Sequence, residues 1–231
     1  MAGQASRLGF TLAEVLITLC IIGVVAAITM PSLVASHLEK SRVGLVLSTY
    51  SKLSEAVRRM MVDEGSEIQF WGNDSKERVG KFKELLPKYI EIIAKERNKD
   101  NSFFMKNGVK IYSITAGTQG AVSKCNLKSN YSNAHDPVDD PRGSYFGACG
   151  SLLIDINSDK KPNQEGIDIF GFNIVSDGIT PMGHPSESVY NMVFDSSKVN
   201  KFVTAWVVYN KNMDYLHCPK KLGWDKASSC K

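Results

Sequence analysis

The chain has 231 residues, of which 43% are hydrophobic and 23% are charged, and its net charge is +4. This length allows one sizeable domain with an anchor, or two small domains. The charge is mild and no block of lysine or arginine stands out. The composition therefore argues against a nucleic-acid-binding protein and predicts a surface of mixed, solvated charge.

The N-terminal apolar segment, residues 10–31, contains a single charged residue, Glu14. A helix of about 20 apolar residues is long enough to cross the roughly 30 Å hydrocarbon core of a bilayer. A secretory signal peptide would have a shorter apolar stretch and then a cleavage site of small residues. This segment instead continues into Pro31, which predicts a kink because proline removes a helical hydrogen bond.

Residues 32–63 continue the helix as an amphipathic segment, because their apolar side chains recur at helical spacing. The apolar face consists of Val43, Val46, Leu47, Tyr50, Leu53, Val57, Met60 and Met61. We therefore expect one long helix, with its first half in lipid and its second half packed on a soluble domain.

The stretch RLGFTLAEVLITLCIIGVVAA resembles the N-terminal signature of type IV prepilins and of the pseudopilins of type II secretion systems. In that signature a short polar leader ends in glycine, and an apolar helix follows with glutamate as its fifth residue. The leader here is residues 1–9, the cleavage site lies between Gly9 and Phe10, and the glutamate is Glu14. A proline at the position of Pro31 also matches.

The resemblance implies a mechanism of processing and assembly. A prepilin peptidase would remove the leader and methylate the new amine of Phe10. The subunit would then wait in the bacterial inner membrane with a cytoplasmic N-terminus and its head in the periplasm. An inner-membrane assembly platform would transfer it into a helical filament of pilin or pseudopilin subunits, periplasmic or extracellular.

Glu14 is costly in lipid, since a carboxylate at the bilayer centre costs about 2.5–3.5 kcal/mol on insertion scales. In a filament, the amine of Phe10 on a neighbouring subunit could pair with this carboxylate and set the axial register of adjacent helices. The alternative is that Glu14 lies near the interface, one turn into the helix, and reaches the lipid headgroups.

Residues 64–231 are predicted to form a globular head. KFKELLPKYIEIIAKER predicts a helix with Phe82, Leu85, Leu86, Ile90 and Ile93 on one side. Strands are predicted for VKIYSIT (109–115), for CGSLLIDIN, GIDIFGFNIVSDG and KFVTAWVVYN, with a long polar loop after the first. One long helix on a small antiparallel sheet is an α+β fold, which is also the pilin plan.

Four of the five cysteines, Cys125, Cys149, Cys218 and Cys230, lie in polar surroundings outside any CxxC spacing. Their even number predicts two disulfides in an oxidising compartment. Sequential pairing closes the shortest loops, but three connectivities are open. The tail containing Cys218 and Cys230 resembles the disulfide-closed C-terminal loop of many pilins. Cys20, in the apolar run, is expected to pack as a small hydrophobe.

The segment DINSDKKPNQEGID carries alternating oxygen donors of the kind that calcium prefers. The candidate ligands are Asp155, Asn157, Asp159, the carbonyl of Lys161, and Asp168. The match to a calcium loop is partial, because Lys160 stands where a glycine is expected and Gly166 where an acid is expected. The alternative, which we favour, is a metal-free polar turn in which Asp and Asn bond to the nearby backbone.

No catalytic motif or metal-ligand spacing of histidines is present in the sequence. The acidic cluster at His135, Asp136, Asp139 and Asp140 is interpreted as a solvated loop. Trp224 and the tail lysines could contact DNA, but a packed tryptophan in a solvated loop is favoured. The leading hypothesis is thus a non-enzymatic filament subunit. The alternatives are a membrane-tethered extracytoplasmic protein that binds calcium or another ligand, and an anchored enzyme.

Overall fold

The computed structural model describes residues 11–95, 102–117, 125, 148–183 and 200–231. A long N-terminal helix is followed by a small antiparallel sheet. This arrangement confirms the predicted α+β class. The chain divides after Ser41 into two compact units.

Helix α1 extends from Leu12 to Glu64, and its first part belongs to the first unit. The helix continues on both sides of Pro31, and the kink at this residue stays a prediction. The large apolar side chains of this part are exposed. They are Leu12, Val15, Leu16, Ile17, Leu19, Ile21, Ile22, Val24, Val25, Ile28, Met30, Leu33, Val34 and Leu38. Cys20, expected to pack as a small hydrophobe, is exposed as well.

The second part of α1 buries the apolar face that the sequence predicts. Val43, Val46, Leu53, Val57 and Met60 are buried in the core of the head. Leu47, Tyr50 and Met61 are partly buried against the same core. Spacing at three and four residues is what places these side chains on one side of the helix, so the amphipathic prediction is confirmed.

The sheet has six antiparallel strands, arranged side by side in the order of the chain. Their bounds are β1 Ile92–Lys95, β2 Phe103–Met105, β3 Lys110–Ala116, β4 Gly150–Asp155, β5 Ile169–Val175 and β6 Gly178–Pro181. Each strand therefore pairs with its neighbours in sequence, which is the order of an antiparallel meander. The strand predicted at 109–115 and those in the next two apolar segments are confirmed.

One face of the sheet contributes a layer of large apolar side chains to the core. Leu152 pairs with Phe172 and Ile154 with Phe170 across β4 and β5, and all four side chains are fully buried. The ring of Phe172 stacks on that of Tyr50, with ring centroids 5.6 Å apart. The apolar face of the sheet therefore packs on the second part of α1, as expected for alternating strand residues.

Helix α2, Ser75–Tyr89, is shorter than the helix predicted from KFKELLPKYIEIIAKER. It begins at an N-cap, Asp74, whose carboxylate accepts a hydrogen bond from the backbone N–H of Glu77 at 2.8 Å. It ends at Tyr89, two residues after Pro87. The prediction for Ile93 was wrong, because this residue lies in β1 and its side chain is 67% exposed.

The segment KFVTAWVVYN, predicted as a strand, is helical. A short 3₁₀ turn at 201–203 leads into helix α3, Thr204–Asn210. The Asn200 side chain caps the turn by accepting from the N–H of Phe202 at 3.0 Å. All residues from Val203 to Val207 are buried, so burial does not alternate, and β-branched composition misled the prediction.

Candidate functional site

The predicted cleavage site at Gly9 and Phe10 lies outside the described residues, whereas Glu14 lies within them. The Oε2 atom of Glu14 accepts hydrogen bonds from the backbone N–H of Thr11 at 2.8 Å and from its hydroxyl at 2.7 Å. The Thr11 Oγ1 atom in turn lies 3.2 Å from the backbone N of Glu14. Threonine and glutamate three residues apart thus form a reciprocal capping box at the start of α1.

This geometry gives Glu14 a local role that the sequence reasoning missed. The spacing T-x-x-E before an apolar run is a known signal of a helix N-terminus. A carboxylate in the first turn also faces the positive end of the helix dipole. Both bonds from Thr11 go to Oε2, and among the described residues none reaches Oε1. Glu14 can therefore cap its own helix and still accept a donor from another molecule.

The first part of α1 has the length and composition to span a membrane, with a mean hydropathy of 2.5 over its most apolar stretch and none of that stretch buried. The hydroxyls of Thr18 and Thr29 donate to the carbonyls of Val15 and Val25, each at 2.9 Å. Polar groups in lipid must find partners within the protein. The two threonines meet this requirement inside the helix itself.

The polar loop between β4 and β5 contains the candidate calcium ligands. Asp168 is fully buried, and its carboxylate accepts from the backbone N–H groups of Gln164 at 2.6 Å and Asn163 at 2.7 Å. The side-chain amide of Asn157 donates to it at 3.1 Å. The carboxylate of Asp155, also buried, accepts from the backbone of residues 157 and 159. These contacts are those of polar turns that bond to their own backbone.

Asp159 has a cationic partner from another strand. The Lys110 ammonium lies 2.6 and 2.8 Å from its two carboxylate oxygens, and the Lys110 side chain is only 2% exposed. Lys161 is exposed at the tip of the loop. The Oδ1 atom of Asn157 is buried without a hydrogen-bond partner among the described residues.

The structure thus brings Asn157 into contact with Asp168 but gives the other carboxylates separate partners. Within the described ranges, no group of three or more His, Cys, Asp or Glu side chains could hold a metal ion. The observed hydrogen bonds are those of a polar turn, and calcium binding by this loop stays a prediction. The cluster at His135, Asp136, Asp139 and Asp140 lies outside the described residues.

The four cysteines of the head lie in two pairs at disulfide distance. Cys125 is bonded to Cys149, with Cα atoms 4.9 Å apart, and Cys218 to Cys230, with Cα atoms 5.8 Å apart. Sequential pairing is therefore the arrangement in the structure. The second bond lies within the C-terminal module, residues 204–231, where it closes the loop 218–230. The N–H of Cys230 donates to the Asp214 carboxylate at 2.6 Å.

Comparisons with protein-family models, with curated proteins and with solved structures found no match. The fold and the N-terminal helix define the class: an α+β protein with one N-terminal helix that could span a membrane.

Proposed function

We propose that the protein is a structural subunit, a pilin or pseudopilin, of a type IV pilus or type II secretion filament. A prepilin peptidase removes the leader, and the mature chain is held in the bacterial inner membrane by the first part of α1. The observation that carries the proposal is an exposed, lipid-length apolar helix that holds a single carboxylate, Glu14, in its first turn.

The geometry of Glu14 supports a role before and during assembly. While the subunit waits in the membrane, the capping box with Thr11 gives Oε2 two hydrogen-bond donors, which lowers the cost of a carboxylate in lipid. When the subunit joins a filament, the amine of Phe10 on a neighbour pairs with the same side chain. A single polar contact in an apolar bundle selects one register, because sliding would leave the charge unpaired.

The head has a separate role in this proposal. Its core includes the second part of α1, so that this part of the helix and the sheet stay together when the subunit is extracted. The sheet, the polar loop and the two disulfides then stabilise a surface exposed to an oxidising compartment. The partners are other subunits, the peptidase, the assembly platform and membrane lipid.

Mass spectrometry of the mature N-terminus tests the proposal. The chain is expressed in full with and without a prepilin peptidase, and the intact mass and the N-terminal peptide are measured. We expect a chain that begins at methylated Phe10 when the peptidase is present. A Gly9→Leu variant is the matched control and should keep its leader, because the peptidase must reach the backbone at that bond.

A wild-type chain that keeps its leader in the presence of an active peptidase would refute the proposal. A membrane-tethered ligand-binding protein, or an anchored enzyme, with an uncleaved anchor would give that result.

A further inference from the structure

One large aromatic side chain of the head is exposed on a short turn. Phe70 ends the 3₁₀ turn that follows α1, and it is 71% exposed. The residues beside it are held in place by hydrogen bonds. The N–H of buried Ile68 donates to the carbonyl of Ser176 at 2.9 Å, and the indole N–H of buried Trp71 donates to the carbonyl of Ser66 at 3.1 Å. The turn therefore presents an apolar ring to solvent from a fixed backbone.

The same turn carries negative charge. Residues 62–74 contain four carboxylates and no lysine or arginine. Glu64 pairs with a lysine of α2, whereas Glu67 accepts only from the neutral side chain of Gln69, at 2.6 Å, and forms no ion pair among the described residues. The guanidinium of Arg78, a buried residue, donates to two backbone carbonyls of this segment at 2.9 and 3.0 Å. We call Phe70 together with Glu67 the acidic knob.

A cleft of about 500 Å³ lies elsewhere on the head, and no residue of the segment 62–74 lines it. Its apolar lining comes from Ala56 of α1, Ile90 after α2 and Met105 of β2, which are all buried. Its volume falls in the range of about 300–1,000 Å³ that is typical of ligand sites. We call it the cationic cleft, because its three cations outnumber its two carboxylates. These charged residues are Lys52, Arg59, Lys106, Glu55 and Glu91.

The cations of this cleft are available to an incoming carboxylate. Lys52 is exposed and forms no ion pair with any residue that the structure describes. Arg59 lies 2.8 Å from Glu55, and Lys106 lies 3.3 Å from Glu91, but these four side chains are between 46% and 76% exposed. Ion pairs in water contribute little to stability. Their cations can therefore turn to a partner at small cost.

We propose that the acidic knob of one copy of this chain binds in the cationic cleft of a second copy. The ring of Phe70 enters the apolar lining, and Glu67 meets the cations around it. The knob of the same chain does not fill the cleft, since Phe70 is exposed and is not part of the lining. Aromatic rings bury a large area on association, and a turn that is already held in place loses little freedom when it binds.

Charge favours this cleft over a second groove of the head. That groove, of about 530 Å³, lies beside the turn between β5 and β6. Its charged residues are one cation, Arg58, and two carboxylates, Glu55 and Asp177, which gives a net charge of −1. The cationic cleft, with three cations and two carboxylates, has a net charge of +1. A carboxylate-bearing knob is attracted to the cleft and repelled by the groove, since like charges at an interface disfavour binding.

Knob and cleft are different surfaces, so a contact between two copies leaves one knob and one cleft free. A heterologous contact of this kind repeats from copy to copy and builds an open filament unless its rotation closes a ring. The inference deepens the proposed function and rests on it, because it names a contact by which heads join in the filament.

The test places the photo-cross-linking residue p-benzoylphenylalanine at position 70 of the full chain, expressed with a prepilin peptidase. After irradiation, dimers are separated by electrophoresis and their joined peptides are identified by mass spectrometry. We expect dimers and larger species in which position 70 is linked to residues 89–91 or 105–107 of another copy. The same residue at position 112, where Tyr112 is 44% exposed on β3, is the matched control and should give no link to the cleft.

Charge reversal sharpens the test. Lys52→Glu with Lys106→Glu should reduce the cross-linked dimer by about tenfold, because like charges across an interface are strongly unfavourable. Adding Glu67→Lys to the same chain should restore it. Lys76→Glu, at an exposed lysine outside the cleft, should leave the dimer unchanged. A dimer that none of these reversals changes would overturn the proposal, as would links from position 70 to other surfaces only.

The intact mass of the same samples separates this inference from the proposed function. A chain that loses its leader but gives no cross-linked dimer would overturn the contact between knob and cleft alone. A chain that keeps its leader would overturn the filament subunit, whatever the cross-links show.

Discussion

The buried carboxylate of Asp168 allows a sharp test of whether the β4–β5 loop needs calcium. Its two oxygens accept three N–H donors, from Asn163, Gln164 and the side chain of Asn157. Asp168→Asn keeps the shape of the side chain but replaces one acceptor oxygen by an NH₂ group. At least one N–H of the loop then faces a donor in a site that water does not reach.

The expected loss of stability follows from the number of N–H donors that the Asp168 carboxylate accepts. A hydrogen bond to a charged acceptor contributes about 1.5–3 kcal/mol, and a buried donor left unsatisfied costs roughly 1–3 kcal/mol. We expect Asp168→Asn to lower the free energy of unfolding by about 3 kcal/mol. For a unit of 150–250 residues this corresponds to a fall in melting temperature of roughly 6–12 °C.

Thermal unfolding of the full chain in detergent, in millimolar calcium and in a chelator, measures the effect. Because the carboxylate accepts hydrogen bonds from the loop itself, we expect Asp168→Asn to lower the melting temperature equally with calcium and with chelator. Calcium should not change the melting temperature of the wild type. Asp225→Asn, at an exposed aspartate of the C-terminal module, is the matched control and should not change stability. A wild type stabilised by calcium, with that gain abolished by Asp168→Asn, would refute the metal-free turn and support calcium binding by this loop.

Three further outcomes are expected. Glu14→Ala should leave leader cleavage intact but prevent entry into filaments, measured by shearing and immunodetection, because the register contact is lost. Cys218→Ser should lower the free energy of unfolding by about 3 kcal/mol, the loop-closure entropy for a sequence separation of 12 residues, measured by denaturant unfolding. The hydrogen bond from Tyr89 to Asp63, at 2.7 Å, raises the pKa of the tyrosine above 10.0. This hydrogen bond stabilises the fold below pH 10, where the tyrosine is protonated, and the stabilisation is lost as the pH rises through the raised pKa. The difference in stability between wild type and Tyr89→Phe should therefore disappear at high pH.

Each of these three predictions has a control or an outcome that would contradict it. Normal filaments from Glu14→Ala would mean that the side chain only caps its own helix. Cys20→Ser removes the free thiol and should not affect stability, so an equal loss there would argue against the disulfide as the cause. A constant difference between Tyr89→Phe and wild type from pH 8 to pH 11 would show that the contact to Asp63 is not the source of the effect.

The long helix could be predicted from the sequence because its determinants are local. An unbroken apolar run and a stripe at intervals of three and four residues are properties of one segment, and α1 follows them from Leu12 to Glu64. The strands β3, β4 and β5 were found in the same way from their apolar content. The capping box of Thr11 and Glu14 was equally local, and its spacing was visible in the sequence although the prediction did not use it.

Other features depend on partners that are distant in the chain. Lys110 reaches Asp159 across 49 residues, and no pattern around either residue indicates the pair. Helix α3 was predicted as a strand because its β-branched composition favours a strand. All of residues 203–207 are buried, so their hydrophobicity shows no helical period that could have corrected the prediction. The sequence by itself determined the long apolar helix, its amphipathic continuation and the number of cysteines that form disulfides. The disulfide pairing and the partners of the polar loop were decided by tertiary contacts, because both depend on which distant segments meet in space.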